Sequence, residues 1–331
     1  MCSGRRGSCP MKPEIRQNPA APAVAPKAPP LARSVPPGAP AMRPPGSIPG
    51  VPSGPKMTDA VFLEIREYIY QLTGIYFQDT KKYLLEGRLG KRLQILGIRD
   101  FAEYLQMLRY GTARSEEMHS FYDAITINET FFFRNEPQFE AFEKTLVPEI
   151  VTGKKTNGRS KLRVWSAASS SGEEAYTLSM IYTEKLRLKY PFLDFEVVGT
   201  DISPSVLETA RKGIYREYSV RNMPKLYMDK YFESGEGRYA VREDVRRLAR
   251  FEHMNLFDQR AMRQMMGFDV IFCANVLIYF DTKSKIQVVS NLYDSLNKGG
   301  YLFIGYAESL HGISSAFKLV NFPKTVAYRK E

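Results

Sequence analysis

The chain has 331 residues, 44% hydrophobic and 12% aromatic, enough for a substantial core and about two domains. Its net charge of +11 is unevenly spread: residues 1–56 hold eight Lys/Arg against one acid, so the body carries only +4 and nucleic-acid binding is not expected. Cys2, Cys9 and Cys273 have neither disulfide-framework nor metal-ligand spacing, no apolar segment follows Arg5-Arg6, and no apolar run approaches about 18 residues, so a cytoplasmic protein without metal, signal peptide or membrane insertion is expected.

Residues 1–56 contain 15 of the 21 prolines and no aromatic side chain. Such a segment cannot bury enough surface to offset its ordering entropy, and the composition predicts a disordered, partly extended tail. It is either a passive leader or a docking segment. From 57 to 127 the periodicity is helical throughout. Phe62, Ile65, Ile69 and Leu72 recur at helical spacing until Gly74. Three further helices are predicted at Lys81–Leu96, Phe101–Arg109 and Glu116–Ile127. On the second, Lys81, Arg88 and Arg92 share one face beside a stripe of Leu85, Leu89 and Leu96. That face is either a solvated surface or a dock for an acidic partner.

Thr126-Ile-Asn-Glu-Thr-Phe-Phe-Phe-Arg134 lies where the helical domain ends and the pattern changes. Asn128, Thr130 and Arg134 are polar residues among aromatics, suited to line a cleft while the phenylalanines pack. Beyond Phe139, strands are predicted at Leu162–Ser166, Phe195–Thr200, Phe251–Asn255, Val270–Ala274 and Tyr301–Gly305, mostly separated by helices. This alternation implies a doubly wound α/β sheet. Between Arg211 and Arg250 it breaks. Tyr227–Phe232, Arg238–Val241 and Val245–Phe251 read as short strands around a turn at Ser234–Gly237, an antiparallel insertion. The predicted organisation is a tail (1–56), a helical domain (57–127) and an α/β domain (128–331) with its insertion at about 215–250.

The most informative stretch is Val164-Trp-Ser-Ala-Ala-Ser-Ser-Ser-Gly-Glu-Glu-Ala175. A strand, a run of small residues and a helix opening form a nucleotide-binding corner. Glu173 and Glu174 would repel a pyrophosphate and welcome a cation, which points to S-adenosylmethionine. Asp201 ends the next strand, 29 residues after Gly172, where an acid can grip both hydroxyls of a ribose; the alternative is a turn acid. A further strand ends at Ala274, placing Asn275 at the ligand-binding edge with Tyr279 four residues on. Tyr279 faces the same cleft or is an ordinary half-buried tyrosine. His119, His253 and His311 have no partners at ligand spacing, and no G-x-S-x-G or phosphate-loop motif occurs.

Taken together, Leu84–Leu93, Asn128–Arg134, Trp165–Glu174, Thr200–Ile202 with Ala210–Tyr215, Ile271–Phe280 and Gly299–Ser309 resemble the CheR family of chemotaxis receptor methyltransferases from about Thr58 to Tyr328. The resemblance implies a Rossmann-like S-adenosylmethionine-dependent methyltransferase domain with a small antiparallel β-subdomain, behind an all-helical domain. It implies that Asn128, Thr130, Arg134, Glu174, Asp201, Asn255, Leu256, Ala274 and Asn275 bind the cofactor, with S-adenosylhomocysteine as product. Arg134 and Tyr279 would lie near the transferred methyl. Lys81, Arg88 and Arg92 would meet the cytoplasmic helices of chemoreceptors, and the β-subdomain a receptor C-terminal peptide. A monomer recruited to membrane receptor arrays is expected. The family often has Arg where this chain has Ala274, which removes one cofactor contact.

The implied activity is methylation of receptor glutamates. A glutamate is already ionised at pH 7, its reference pKa being about 4.3, so no general base is required. The alternatives are a catalytically idle S-adenosylmethionine-binding sensor or scaffold and a methyltransferase with another acceptor, such as a small molecule or RNA. A nicotinamide dehydrogenase is disfavoured, because the corner lacks G-x-G-x-x-G.

Overall fold

The computed structural model describes residues 55–112, 114–154 and 160–331. The tail expected to be disordered lies, but for residues 55 and 56, outside the described residues. The four helices of the first domain form as expected: α1 (Asp59–Thr73), α2 (Lys82–Leu96), α3 (Phe101–Tyr110) and α4 (Arg114–Ile125). Thr58 caps α1 by accepting the Val61 N–H at 3.3 Å, and Gly74, at φ 71°, ends it in the left-handed conformation that glycine adopts without strain. Ile69, Leu85, Leu89, Leu93, Tyr104, Leu108 and Phe121 fill the centre with no exposed surface.

One polar network crosses this apolar core. Glu117 on α4 accepts the Tyr104 hydroxyl at 2.7 Å and both arms of the Arg92 guanidinium, at 2.9 and 2.6 Å. Burial, reinforced by the carboxylate, pushes the Tyr104 hydroxyl well above its ordinary range, so it stays a donor. Removing Glu117 leaves the buried Tyr104 hydroxyl without its acceptor and the partly buried Arg92 without its counter-ion. Glu117→Ala is expected to cost about 3 kcal/mol, read as a lowered denaturant midpoint.

The α/β domain carries β1 (Ser160–Ala167), β2 (Leu193–Asp201), β3 (Ile214–Arg216), β4 (Phe232–Gly235), β5 (Arg238–Val241), β6 (Ala249–His253), β7 (Phe268–Cys273), β8 (Leu296–Ile304), β9 (Phe317–Phe322) and β10 (Thr325–Lys330). Seven of these form one sheet in the order β6-β2-β1-β7-β8-β10-β9. The first five positions are parallel, and β10 runs antiparallel to both of its neighbours, β8 and β9. Alternate residues bury opposite faces. Val164, Val197 and Phe272 join one core cluster, and Trp165, Val198 and Ile271 the other. Both faces are therefore covered, as the near-continuous apolar strands require. Strand order reverses between β1 and β7, and ligands of open α/β sheets bind at that switch point, beyond the carboxyl ends of the strands.

The insertion is real, but its strands differ from those expected. Tyr227 and Tyr231 lie one turn apart on a helix, Lys225–Tyr231, and bury the same face. Their aromatic character suggests a strand, but the four-residue spacing belongs to a helix. Val245 is likewise in a short helix, and Ala249–His253 joins the large sheet. The small sheet has the order β3-β5-β4, with Ile214–Arg216 as its third strand. Glu236 (φ 51°) and Gly237 (φ 70°) close the β4–β5 hairpin, the paired left-handed residues that a two-residue turn demands. The closing strands β9 and β10 add to the elements expected from sequence.

Candidate active site

At the end of β1 the chain doubles back sharply. Ala168 (φ 63°), Ser170 (φ 50°) and Gly172 (φ 91°) are all left-handed, two of them without glycine's freedom. The Ser169 N–H bonds the Thr200 carbonyl at 2.7 Å and the Ser170 N–H bonds Asp201 Oδ2 at 2.9 Å, which lashes the corner to the end of β2. A Cβ at Gly172 would lie 2.8 Å from the Ala210 methyl and 2.9 Å from the Phe251 ring, so only glycine fits. The small-residue run thus serves backbone curvature and close packing as well as ligand approach.

The two acids that follow part ways. Glu173 is buried and accepts the hydroxyls of Ser171 (2.7 Å) and Ser219 (2.9 Å), fastening the corner to the segment after β3. Burial raises its pKa. Glu174 instead opens into the cavity. Its Oε1 accepts the Ser166 hydroxyl at 2.7 Å. Desolvation lifts its pKa to about 7, against the pull of that hydrogen bond and of the Arg134 charge. A cation placed beside it would favour its ionised form. Asp201 is buried, its pKa raised by desolvation against backbone hydrogen bonds from Ser203, Ser170 and Ile202; Oδ2 accepts the Ser170 N–H and Oδ1 the Ser203 N–H, both at 2.9 Å. It lines the cavity, and a carboxylate with about four acceptor sites still has capacity for a ligand hydroxyl.

In the junction segment, phenylalanines anchor and polar residues face inward. Phe132 is fully buried between Tyr215 and Phe232, with ring centroids at 4.9 and 5.2 Å, so the β-subdomain grips this segment from behind. Phe133, strained at φ 57°, packs on Tyr227. The Asn128 carbonyl accepts the Ser170 hydroxyl at 3.0 Å, joining segment to corner. Arg134 donates to the Glu129 carbonyl at 2.5 Å and lies over the Phe131 ring.

The third wall is the loop after β7, where Asn275 is left-handed (φ 62°) and Leu277–Tyr279 forms a 3-10 turn. Burial raises the Tyr279 hydroxyl, opposed by the nearby Arg134 charge. The helical domain closes the roof. Tyr76 N–H bonds the Tyr279 carbonyl at 2.9 Å, Ile75 bridges Phe280, and the Tyr70 hydroxyl reaches Asp281 at 3.1 Å. Asn255 donates to the Leu72 carbonyl at 2.6 Å and accepts the Phe257 N–H at 3.0 Å, so its amide ties the roof to the end of β6.

These walls enclose a cavity of about 670 Å³. Asn128, Thr130, Arg134, Glu174, Asp201, Asn255, Leu256, Ala274, Asn275 and Tyr279 all line it, as does Lys81 from the helical side. Arg88 and Arg92 do not. Arg88 donates to the Thr126 carbonyl at 3.1 Å beyond the end of α4, and Arg92 is committed to Glu117. Ser169 of the corner also lines the cavity, as do Lys285 and Met254, which no sequence motif singles out. The donor set suits S-adenosylmethionine: a carboxylate that a cation would hold ionised, a second acid at the end of β2, apolar Met254 and Leu256 for a flat base, and a corner that only glycine permits.

A doubly wound sheet with such a site defines an S-adenosylmethionine-dependent methyltransferase. Family comparison agrees and is narrower. The all-alpha domain of CheR methyltransferases matches residues 60–126, and their SAM binding domain matches residues 128–326. The chain belongs to the CheR methyltransferase family. It is 36% identical over 275 residues to chemotaxis protein methyltransferase 2 of Vibrio cholerae, covering 83% of this chain and 94% of that one. It is 35% identical to chemotaxis protein methyltransferase 1 of Pseudomonas aeruginosa, covering 82% and 98%.

Proposed function

We propose that the protein transfers the methyl group of S-adenosylmethionine to glutamate side chains on the cytoplasmic helices of chemoreceptors. The cofactor supplies a methyl carbon on a positively charged sulfur, a leaving group that needs no protonation. The observation that carries the acceptor assignment is that Arg134 and Tyr279 line the cavity while no histidine does. A carboxylate acceptor arrives ionised and needs a positioned cation rather than a base. Arg134 keeps donors free after its one bond to Glu129 and can hold that carboxylate in line. Tyr279, protonated at neutral pH, donates a hydrogen bond beside it. Asp201 and Glu174 fix the cofactor's ribose and charged end, Asn128, Thr130, Ala274 and Asn275 line its pocket, and Asn255 and Leu256 flank its base. Orientation and exclusion of water can supply roughly 7–11 kcal/mol of barrier reduction.

Lys81, exposed at the cavity rim, is assigned to receptor docking, with Arg88 and Arg92 holding α4 and the helix face in register behind it. The edge strand β4 offers unpaired backbone to a receptor's C-terminal peptide. The protein is assigned to the cytoplasm as a monomer recruited to receptor arrays; no helix among the described residues is long and apolar enough to cross a membrane. Incubation with methyl-labelled S-adenosylmethionine and receptor-bearing membranes is expected to give base-labile label on the receptors, lost when their acceptor glutamates become alanine. Label on another acceptor, or cofactor binding without transfer, would overturn the assignment.

A further inference from the structure

The loop that carries Asn275 and Tyr279 is held by a carboxylate that does not itself line the cavity. Glu308 follows the end of β8. Its Oε2 accepts the N–H of Gly305 at 2.5 Å and of Asn275 at 3.1 Å, and its Oε1 accepts the N–H of Ile278 at 3.1 Å. The fit leaves no slack. A Cβ at Gly305 would stand 2.7 Å from Glu308 Oε2 and 2.8 Å from the Asn275 nitrogen. Three backbone donors from two loops thus converge on one anion, each bond charge-assisted.

The two points it holds are the two that matter for the site. Asn275 sits at φ 62°, a conformation that persists only where its surroundings enforce it. Ile278 lies in the short turn that ends with Tyr279, whose backbone carbonyl meets the helical domain through Tyr76. With its carbonyl fixed at the roof and its turn fixed by Glu308, the Tyr279 ring has little freedom to swing.

We infer that Glu308 is a positioning residue for methyl transfer: it pins the loop after β7 at two points, presenting Asn275 to the cofactor and Tyr279 to the reacting centre. The inference rests on the roles proposed above for those two residues. Three quantities test it: the cofactor Kd on the protein alone, kcat with receptor membranes, and Tm. The variants are Glu308→Gln, Tyr279→Phe and the double. Gln keeps the shape but sets an NH₂ donor against a backbone donor. Expected are a 10–100-fold loss of kcat and a weaker cofactor Kd for Glu308→Gln, with the kcat loss shrinking to within about twofold when Tyr279 is already Phe. Should Glu308→Gln not fold, Glu308→Asp, retracted by one methylene, replaces it with the same expectations.

An unchanged kcat and Kd in a folded variant would overturn the inference. So would an equal kcat loss in both backgrounds, which marks general destabilisation. If Tyr279→Phe alone keeps full kcat, the role of Tyr279 fails by itself, and the Kd of Glu308→Gln decides alone: weakened supports Glu308 as the holder of Asn275, unchanged refutes it.

Discussion

Glu174→Gln is expected to weaken S-adenosylmethionine binding about 3–10-fold, because in the proposed role a charge-assisted contact to the cofactor's cationic end becomes a neutral one worth roughly 1 kcal/mol less. Isothermal calorimetry at pH 8 reads it directly. The pH dependence is the sharper test. In the cofactor-free protein Glu174 has its pKa raised to about 7 by desolvation. Below that pH it carries a proton that a cationic ligand must displace. Wild-type affinity should therefore fall up to about tenfold per unit as pH drops below 7, and level off above it. The Gln variant should lack that dependence. Stability runs the opposite way. A folded pKa raised above the unfolded value means that the native state binds the extra proton between about 4.5 and 7. The stabilising contribution of the protonated acid is full below that window and is lost as pH rises through it. The cofactor-free Gln variant should hence be more stable than wild type at pH 8, by about 1–3 kcal/mol, while binding cofactor worse. A variant weaker on both counts would mean that Glu174 serves the fold rather than the ligand.

The corner is legible in the sequence because its chemistry is local. A strand running into Ala167, Ala168, Ser169, Ser170, Ser171 and Gly172 can only turn tightly, and acids at the helix start select the ligand's charge. Sequence does not divide the labour between neighbours. Glu173 and Glu174 are adjacent and alike, yet helix geometry turns one toward Ser219 and the other into the cavity. Likewise Lys81, Arg88 and Arg92 fall on one face by their spacing, but only folding reveals that Lys81 precedes α2, that Glu117 lies opposite Arg92 and that the end of α4 lies opposite Arg88. Asn255, expected beside the base, lines the cavity but spends its amide on Leu72, a contact 183 residues distant in sequence. Glu308 has a faint local signal, an acid three residues after a glycine that ends a strand. Its partners Asn275 and Ile278 are about 30 residues away, so nothing nearby marks it. In the insertion, tyrosines four apart resemble strand residues because aromatic propensity masks their helical spacing.

Arg134→Ala is expected to lower kcat by about 10²–10³-fold with cofactor affinity changed far less, the range seen when one positioned donor to a developing or incoming charge is removed. Its placement argues for a direct role. The guanidinium is tethered at one corner by the Glu129 carbonyl and steadied over Phe131 at the cavity wall, which limits how far its remaining donors can move. Arg134→Lys should recover only part of the rate, since an ammonium is a point charge without the planar fork that meets two carboxylate oxygens at once. Arg134 also helps keep Glu174 ionised and lowers the Tyr279 pKa, both against desolvation. Removing it should move the pH midpoint of cofactor binding upward, because Glu174 would then hold its proton more tightly. The paired readouts separate two explanations. A collapse of kcat with a raised binding midpoint places Arg134 between acceptor and cofactor. A collapse of kcat with no shift of the midpoint would confine it to the acceptor, and an unchanged kcat would remove it from catalysis altogether.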